Sequence, residues 1–171
     1  MQSLLTAPRV SGAQAVVVDK LGRVLLQLRL WPAGWEPPGG HVGASEDPVS
    51  TVTRETREET GLEIEVERLT GYYRFTGLRH STDAVFRAHP VGGRLRRSRE
   101  AWRLEWVAPD HLPNSLFPWY RQRIADALEP VASAPSERIQ HVGLAAVGSH
   151  GLALLVDMGS SLPRPRSGAS S

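Results

Sequence analysis

Residues 40–62 read GHVGASEDPVSTVTRETREETGL, and the physical demands of this stretch organise the rest of the chain. Between Asp47 and Thr60 there is no glycine, and Pro48 stands where a first helical turn tolerates it. Ser45 and Asp47 are both candidate N-caps, and Gly61 provides a left-handed stop. The pattern predicts one helix of about three to four turns. On it Glu55, Glu58 and Glu59 stand at i, i+3 and i+4, so at roughly 100° per residue their carboxylates share one stripe. Like charges at this spacing repel, and one member takes a raised pKa unless a cation lies between them. The stripe is either a solvated acidic surface or a site for a hard, oxygen-seeking ion such as Mg²⁺. Val49, Thr53, Thr56 and Thr60 are expected on the opposite face, packed on a sheet.

Upstream, Ala13–Asp19 and Arg23–Leu30 are rich in aliphatic residues and flank the turn signal Lys20-Leu21-Gly22, which predicts two strands paired as a hairpin. Trp31–Gly40 (WPAGWEPPGG) reads as a loop whose prolines and glycines set its shape. Downstream, Leu62–Leu69, Thr82–Ala88 and Arg103–Val107 are strand candidates. A second helix is expected from Pro118 to Leu128, with Trp119, Ile124, Ala125 and Leu128 as its apolar stripe. Interleaved strands and helices predict an α/β architecture with a mixed sheet. The domain is expected over 12–130, after an N-terminal extension at 1–11. From Val131 to the end Ala, Ser, Gly and Pro dominate, which predicts a partly disordered tail or a marginal hairpin over 142–156.

Composition narrows the chemistry. Lys and Arg number 20 against 18 Asp and Glu, a net charge of +2, which is not that of a general nucleic-acid binder. The absence of cysteine excludes disulfide scaffolds, iron–sulfur clusters and thiolate nucleophiles. No export signal opens the chain and no stretch reaches about 18 apolar residues, so a cytoplasmic protein with no membrane partner is expected.

Gly40, Glu46, Arg54-Glu55, Glu58-Glu59 and Gly61-Leu62 are spaced as GX5EX7REUXEEXGU, where U is aliphatic. This resembles the signature of the Nudix hydrolase family, with all seven fixed identities in place and one departure, Thr56 at an aliphatic position. The likeness extends over about residues 12–130. It implies an α/β/α sandwich and hydrolysis of a phosphoanhydride in a nucleoside diphosphate linked to another moiety. It further implies a divalent metal, Mg²⁺ or alternatively Mn²⁺, held by Glu55, Glu58 and Glu59 with a backbone carbonyl from Gly40 or Gly39. Gly39, Glu46, Arg54 and Gly61 take structural roles, Arg54 pairing with Glu46 or another carboxylate of the motif. Glu55, Glu59 or the downstream Glu100 is the expected general base. The isomerase branch of this fold depends on a cysteine, which this chain lacks.

The substrate is not written in the motif. A nucleoside triphosphate of the MutT-like kind is favoured, with ADP-ribose or a sugar nucleotide as the alternative and a non-catalytic nucleotide-sensing module as the competing class. Trp35, Tyr73 and Arg74 are candidate substrate contacts, and His41 is expected to border the site. Arg94, Arg96, Arg97, Arg99 and Arg103 form a basic run, read chiefly as a solvated turn, so no nucleic-acid partner is expected. A homodimer is the one assembly left open.

Overall fold

The computed structural model describes residues 8–30, 33–99, 101–130 and 134–143. Its elements in chain order are strands β1 (Gly12–Val17), β2 (Val24–Leu30), β3 (Ala33–Glu36) and β4 (Gly39–His41), and helix α1 (Pro48–Thr60). Strands β5 (Leu62–Gly77), β6 (Ser81–Gly93) and β7 (Ala101–Val107) follow, then helix α2 (Pro118–Leu128) and strand β8 (Ser136–Val142). They form a five-stranded sheet in the order β4-β1-β6-β5-β8 and a three-stranded sheet in the order β3-β2-β7. The larger sheet is mixed, since β6 runs parallel to β1 and β8 parallel to β5, whereas β4 is antiparallel to β1 and β5 antiparallel to β6.

β1 is buried along its whole length, so its alternation serves two cores rather than one core and solvent. Ala13, Ala15 and Val17 point toward α1, where Val52, Ile64 and Phe86 complete one cluster. Val16 and Val18 face the other way, where Tyr73, Val85, Phe117, Tyr120 and Ile124 pack beneath α2. The result is the α/β/α sandwich expected from the motif.

Several expectations are corrected by this packing. The turn between β1 and β2 forms as read: Asp19 accepts the N–H groups of Leu21 and Arg23 at 2.9 Å, and Gly22 has φ 75°. The strands do not continue as a hairpin, however. After a single Val18–Val24 bridge they enter different sheets, because β1 pairs with β4 and β6 while β2 pairs with β3 and β7. Part of the expected Trp31–Gly40 loop is strand: Glu36 pairs opposite Gln27, and Gly39 opposite Gln14.

The buried side of α1 consists of Thr51, Val52, Thr56, Glu59 and Thr60, while Val49 is exposed. On α2 the buried residues are Tyr120, Arg123, Ile124, Asp126 and Ala127, and Ala125 faces solvent. Residues 136–142, read as part of a tail, instead extend the main sheet as β8, with Gln140 and Val142 buried in an otherwise accessible strand. Beyond Gly143 the expected 142–156 hairpin lies outside the described residues. No described helix is long and apolar enough to cross a membrane.

Candidate active site

The ends of α1 are fixed locally. Asp47, rather than Ser45, caps the helix, accepting the N–H groups of Val49 at 2.9 Å and Ser50 at 3.0 Å. At the other end Gly61 adopts φ 77°, and its N–H reaches the Arg57 carbonyl at 2.9 Å. The backbone of the arginine run closes over this terminus, with the N–H groups of Arg94 and Arg96 on the carbonyls of Gly61 and Thr60. These arginine side chains are exposed.

The acidic stripe is graded in depth. Glu59 is 6% exposed, while the Glu55 and Glu58 side chains are 20% and 61% exposed. Arg54 balances the outer part of the stripe. Its Nε and a terminal nitrogen bind the two oxygens of Glu46 at 2.9 and 3.1 Å, and its other terminal nitrogen binds Glu55 at 2.8 Å and Glu58 at 3.2 Å. The bidentate hydrogen bonds from Arg54 hold the Glu46 carboxyl down at about 2. They also tie the loop before α1 to the helix.

Glu59 points inward against the turn between β3 and β4. Its Oε2 accepts the Gly39 N–H at 2.9 Å. Burial pushes its carboxyl up to about 7; hydrogen bonds from Gln27 and Gly39 oppose this, while the negative charges of Glu36 and Glu55 add to it. Gly40 leaves room for Glu55, since a Cβ there would lie 2.5 Å from the Glu55 carboxyl carbon. The Pro37-Pro38-Gly39-Gly40 turn thereby brings two carboxylates from successive turns of α1 against one stretch of backbone.

Glu36 is a further carboxylate beside this turn. It accepts from Arg29 at 3.1 Å, from the Tyr120 hydroxyl at 3.0 Å and from Gln27 at 3.4 Å. Burial raises its pKa, and these donors act against the rise. Glu36 lines a cavity of about 210 Å³ together with Arg29, Gly39, His41, Tyr120 and Arg123. His41, expected to border the site, lines this cavity.

The arrangement tests the expected metal ligands. Oxygen donors of Glu55 and Glu59 lie against Gly40 and Gly39 respectively, and the repulsion that Glu36 and Glu55 exert on Glu59 is what a hard divalent cation would relieve. In donor chemistry these residues fit Mg²⁺. Among the described residues, though, no three carboxylates or imidazoles are gathered as a ready metal cluster. Glu58 instead turns outward onto Arg54, and Glu100 lies outside the described residues.

Two expected substrate contacts are corrected. Trp35 is 5% exposed and belongs to the core beneath α2, because β3 lays it against Leu116. Tyr73 is fully buried, and its hydroxyl donates to Asp126 at 2.6 Å. Arg74 is exposed and lines a separate depression beside Tyr72 and Arg138. Sequence reasoning missed Gln27, Glu36, Tyr120 and Arg123. A usable signal existed for the last two, which stand at i and i+3 on the buried side of α2, but charge on that face hid it.

Comparison with known proteins gives a consistent result. The NUDIX domain profile matches residues 8–127. The chain is 40% identical over 114 residues to a MutT-like protein of Streptomyces ambofaciens, covering 67% of this chain and 73% of the relative. A crystal structure of a MutT Nudix hydrolase from Burkholderia pseudomallei superposes with a TM-score of 0.59 at 29% identity, over 70% of this chain and 98% of the other. An ADP-ribose pyrophosphatase from Streptococcus suis 89-1591 has the same fold, with a TM-score of 0.61 at 20% identity over 75% and 97% of the chains.

Proposed function

The chain belongs to the Nudix hydrolase family, and on that premise we propose that it is a Mg²⁺-dependent hydrolase that cleaves a phosphoanhydride of a nucleoside triphosphate. Mn²⁺ is the alternative ion. The observation that carries this reading is the pairing of Glu55 and Glu59 around Gly39 and Gly40, at the rim of a cavity lined by Arg29 and Arg123. A relative from Bacillus subtilis, 28% identical over 115 residues and named a putative 8-oxo-dGTP diphosphatase, supports the choice of a nucleoside triphosphate.

Glu55 and Glu59, with the Gly40 carbonyl, would hold the ion, and Glu58 would join them on leaving its bond to Arg54. When bound, Mg²⁺ lowers the pKa of water and neutralises charge on phosphate oxygens. The chain's own groups do the rest. Glu59, buried and held at the turn by the Gly39 N–H, is the general base in this reading and takes the proton of the attacking water. Gly39 orients that carboxylate through its N–H. Arg54 steadies Glu55 from the outer side, and Arg29, at the cavity wall and paired with Glu36, would contact the phosphates. Without a cysteine or a P-loop lysine motif, direct attack by water is the economical route.

The test is a panel of nucleoside triphosphates, ADP-ribose and UDP-glucose, incubated with Mg²⁺ or Mn²⁺ in ¹⁸O-labelled water. Phosphorus NMR of the products identifies which phosphorus takes the solvent oxygen. A nucleoside triphosphate is expected to turn over fastest. Faster turnover of ADP-ribose reassigns the substrate, and no turnover with either metal leaves a nucleotide-sensing module.

A further inference from the structure

Arg123 is a guanidinium 1% exposed, set within about 5 Å of the rings of Tyr73, Phe75 and Tyr120. A buried cation is tolerated only when its N–H groups are satisfied. The Gln140 Oε1 accepts from the Arg123 Nε at 3.2 Å and from a terminal nitrogen at 3.0 Å. The other terminal nitrogen donates to Gln14 Oε1 at 3.1 Å and to Asp83 at 3.0 Å. Gln140 is itself oriented by donating its amide to the Trp119 carbonyl at 3.0 Å.

The consequence reaches the candidate site. Because the Gln14 oxygen is taken by Arg123, its amide nitrogen faces the other way and donates to the Pro37 carbonyl at 3.1 Å. Gln14 pairs opposite Gly39, and the contact is tight: a Cβ on Gly39 would lie 2.7 Å from the Gln14 Cα. Gly39 then donates to Glu59. A continuous path of hydrogen bonds and backbone contact therefore runs from β8 to the α1 carboxylate. Its origin lies beyond residue 127, where the match to the NUDIX domain ends.

We infer that Gln140 is a positioning residue for the active site, fixing the Pro37–Gly40 turn through Arg123 and Gln14. The inference rests on the reading of Glu59 as a working carboxylate. In that role β8 is part of the site's support, and a change in its buried glutamine alters chemistry at a distance.

The test uses the full chain and two readouts. Gln140→Met keeps side-chain length and removes the acceptor, whereas Gln140→Glu restores it. Ile139→Thr, on the exposed side of the same strand, is the control. Hydrogen exchange of the Gly39 amide is followed by NMR in the metal-free protein, and kcat and KM are measured with dGTP and Mg²⁺. The expected result for Gln140→Met is about tenfold faster Gly39 exchange and about tenfold lower kcat, both reversed in Gln140→Glu and absent in Ile139→Thr. Should Gln140→Met fail to fold, Gln140→Asn, one methylene shorter, withdraws the acceptor more gently and is expected to move the same amide. A folded variant lacking the acceptor with unchanged Gly39 exchange overturns the inference and leaves Gln140 as an anchor of β8 only. Altered Gly39 exchange in a protein with no wild-type turnover upholds the positioning while overturning the catalytic reading.

Discussion

The backbone N–H of Gly39 donates to Oε2 of Glu59 at 2.9 Å, across a separation of 20 residues. This bond joins the turn between β3 and β4 to the buried side of α1. Gly39 itself lines the cavity, and the carboxylate behind it has a raised proton affinity.

Replacing Glu59 by Gln keeps an oxygen able to accept from Gly39 but removes both the charge and the base. Turnover with Mg²⁺ is expected to fall by about 100-fold or more, with far-UV circular dichroism unchanged. Steady-state hydrolysis of the preferred triphosphate measures it. Wild-type rates in this variant would remove Glu59 from the chemistry.

The same carboxyl sets a pH dependence of stability. Its folded pKa of about 7 lies above the ordinary value of 4.5, so between these limits the folded state keeps a proton that the unfolded chain has released. Unfolding free energy of the metal-free protein is therefore expected to decline as pH rises from about 4.5 to about 7, by about 3 kcal/mol from this group. Urea titrations across that range check the slope. The slope should flatten in Glu59→Gln, and added Mg²⁺ should recover stability at the upper end.

Gly40 and Gly39 are expected to fail differently. A methyl at Gly40 meets the end of the Glu55 side chain, which can swing aside, whereas at Gly39 it meets the Ala13 carbonyl at 2.3 Å and the Gln14 backbone. Gly40→Ala should keep its melting temperature within a few degrees while losing about tenfold or more in kcat. Gly39→Ala should be destabilised by about 2 kcal/mol or more. Thermal melts and kinetics on both variants separate displacement of a ligand from strain in the sheet.

Asp126 is a stability residue on the far side of the sheet. It accepts from Tyr73 and Arg138 at 2.6 Å and from Gln122 at 2.9 Å. Burial would raise its pKa, but the hydrogen bonds from Arg138, Tyr73 and Gln122 outweigh it and the net shift is downward. Its contribution is present above the ordinary carboxylate pKa and is lost as pH falls through the lower folded value. Asp126→Ala is expected to cost about 3 kcal/mol in urea unfolding near neutral pH, because the Tyr73 hydroxyl loses its carboxylate partner and Arg138 its counter-ion. A loss below about 1 kcal/mol would show that the pairing contributes little.

The helix carrying the motif was legible because its signals are local. A cap at Asp47, a stop at Gly61 and carboxylates at helical spacing each depend on residues within one or two turns. The limits of α2 were legible for the same reason, Pro118 being tolerated in its first turn. Which face of each helix is buried was less so. Val49 and Ala125 have apolar side chains and are exposed, while Arg123 and Asp126 are charged and buried, because their hydrogen-bond partners come from distant strands. Aromatic identity likewise does not distinguish a ligand contact from a core residue: Trp35 and Tyr73 are buried by elements that hydropathy alone does not bring together.

By itself the sequence determined the α/β class, the two helices, the spacing of the acidic motif and the exclusion of thiol chemistry. All of these follow from short-range periodicity or from composition. Tertiary structure alone decided that β1 and β2 part into separate sheets, that Gln27 bonds Glu59 within reach of the Glu36 charge, and that β8 reaches the cavity through Arg123. These are pairings between segments far apart in the chain, fixed by which strand edges remain open and which buried polar groups still need partners.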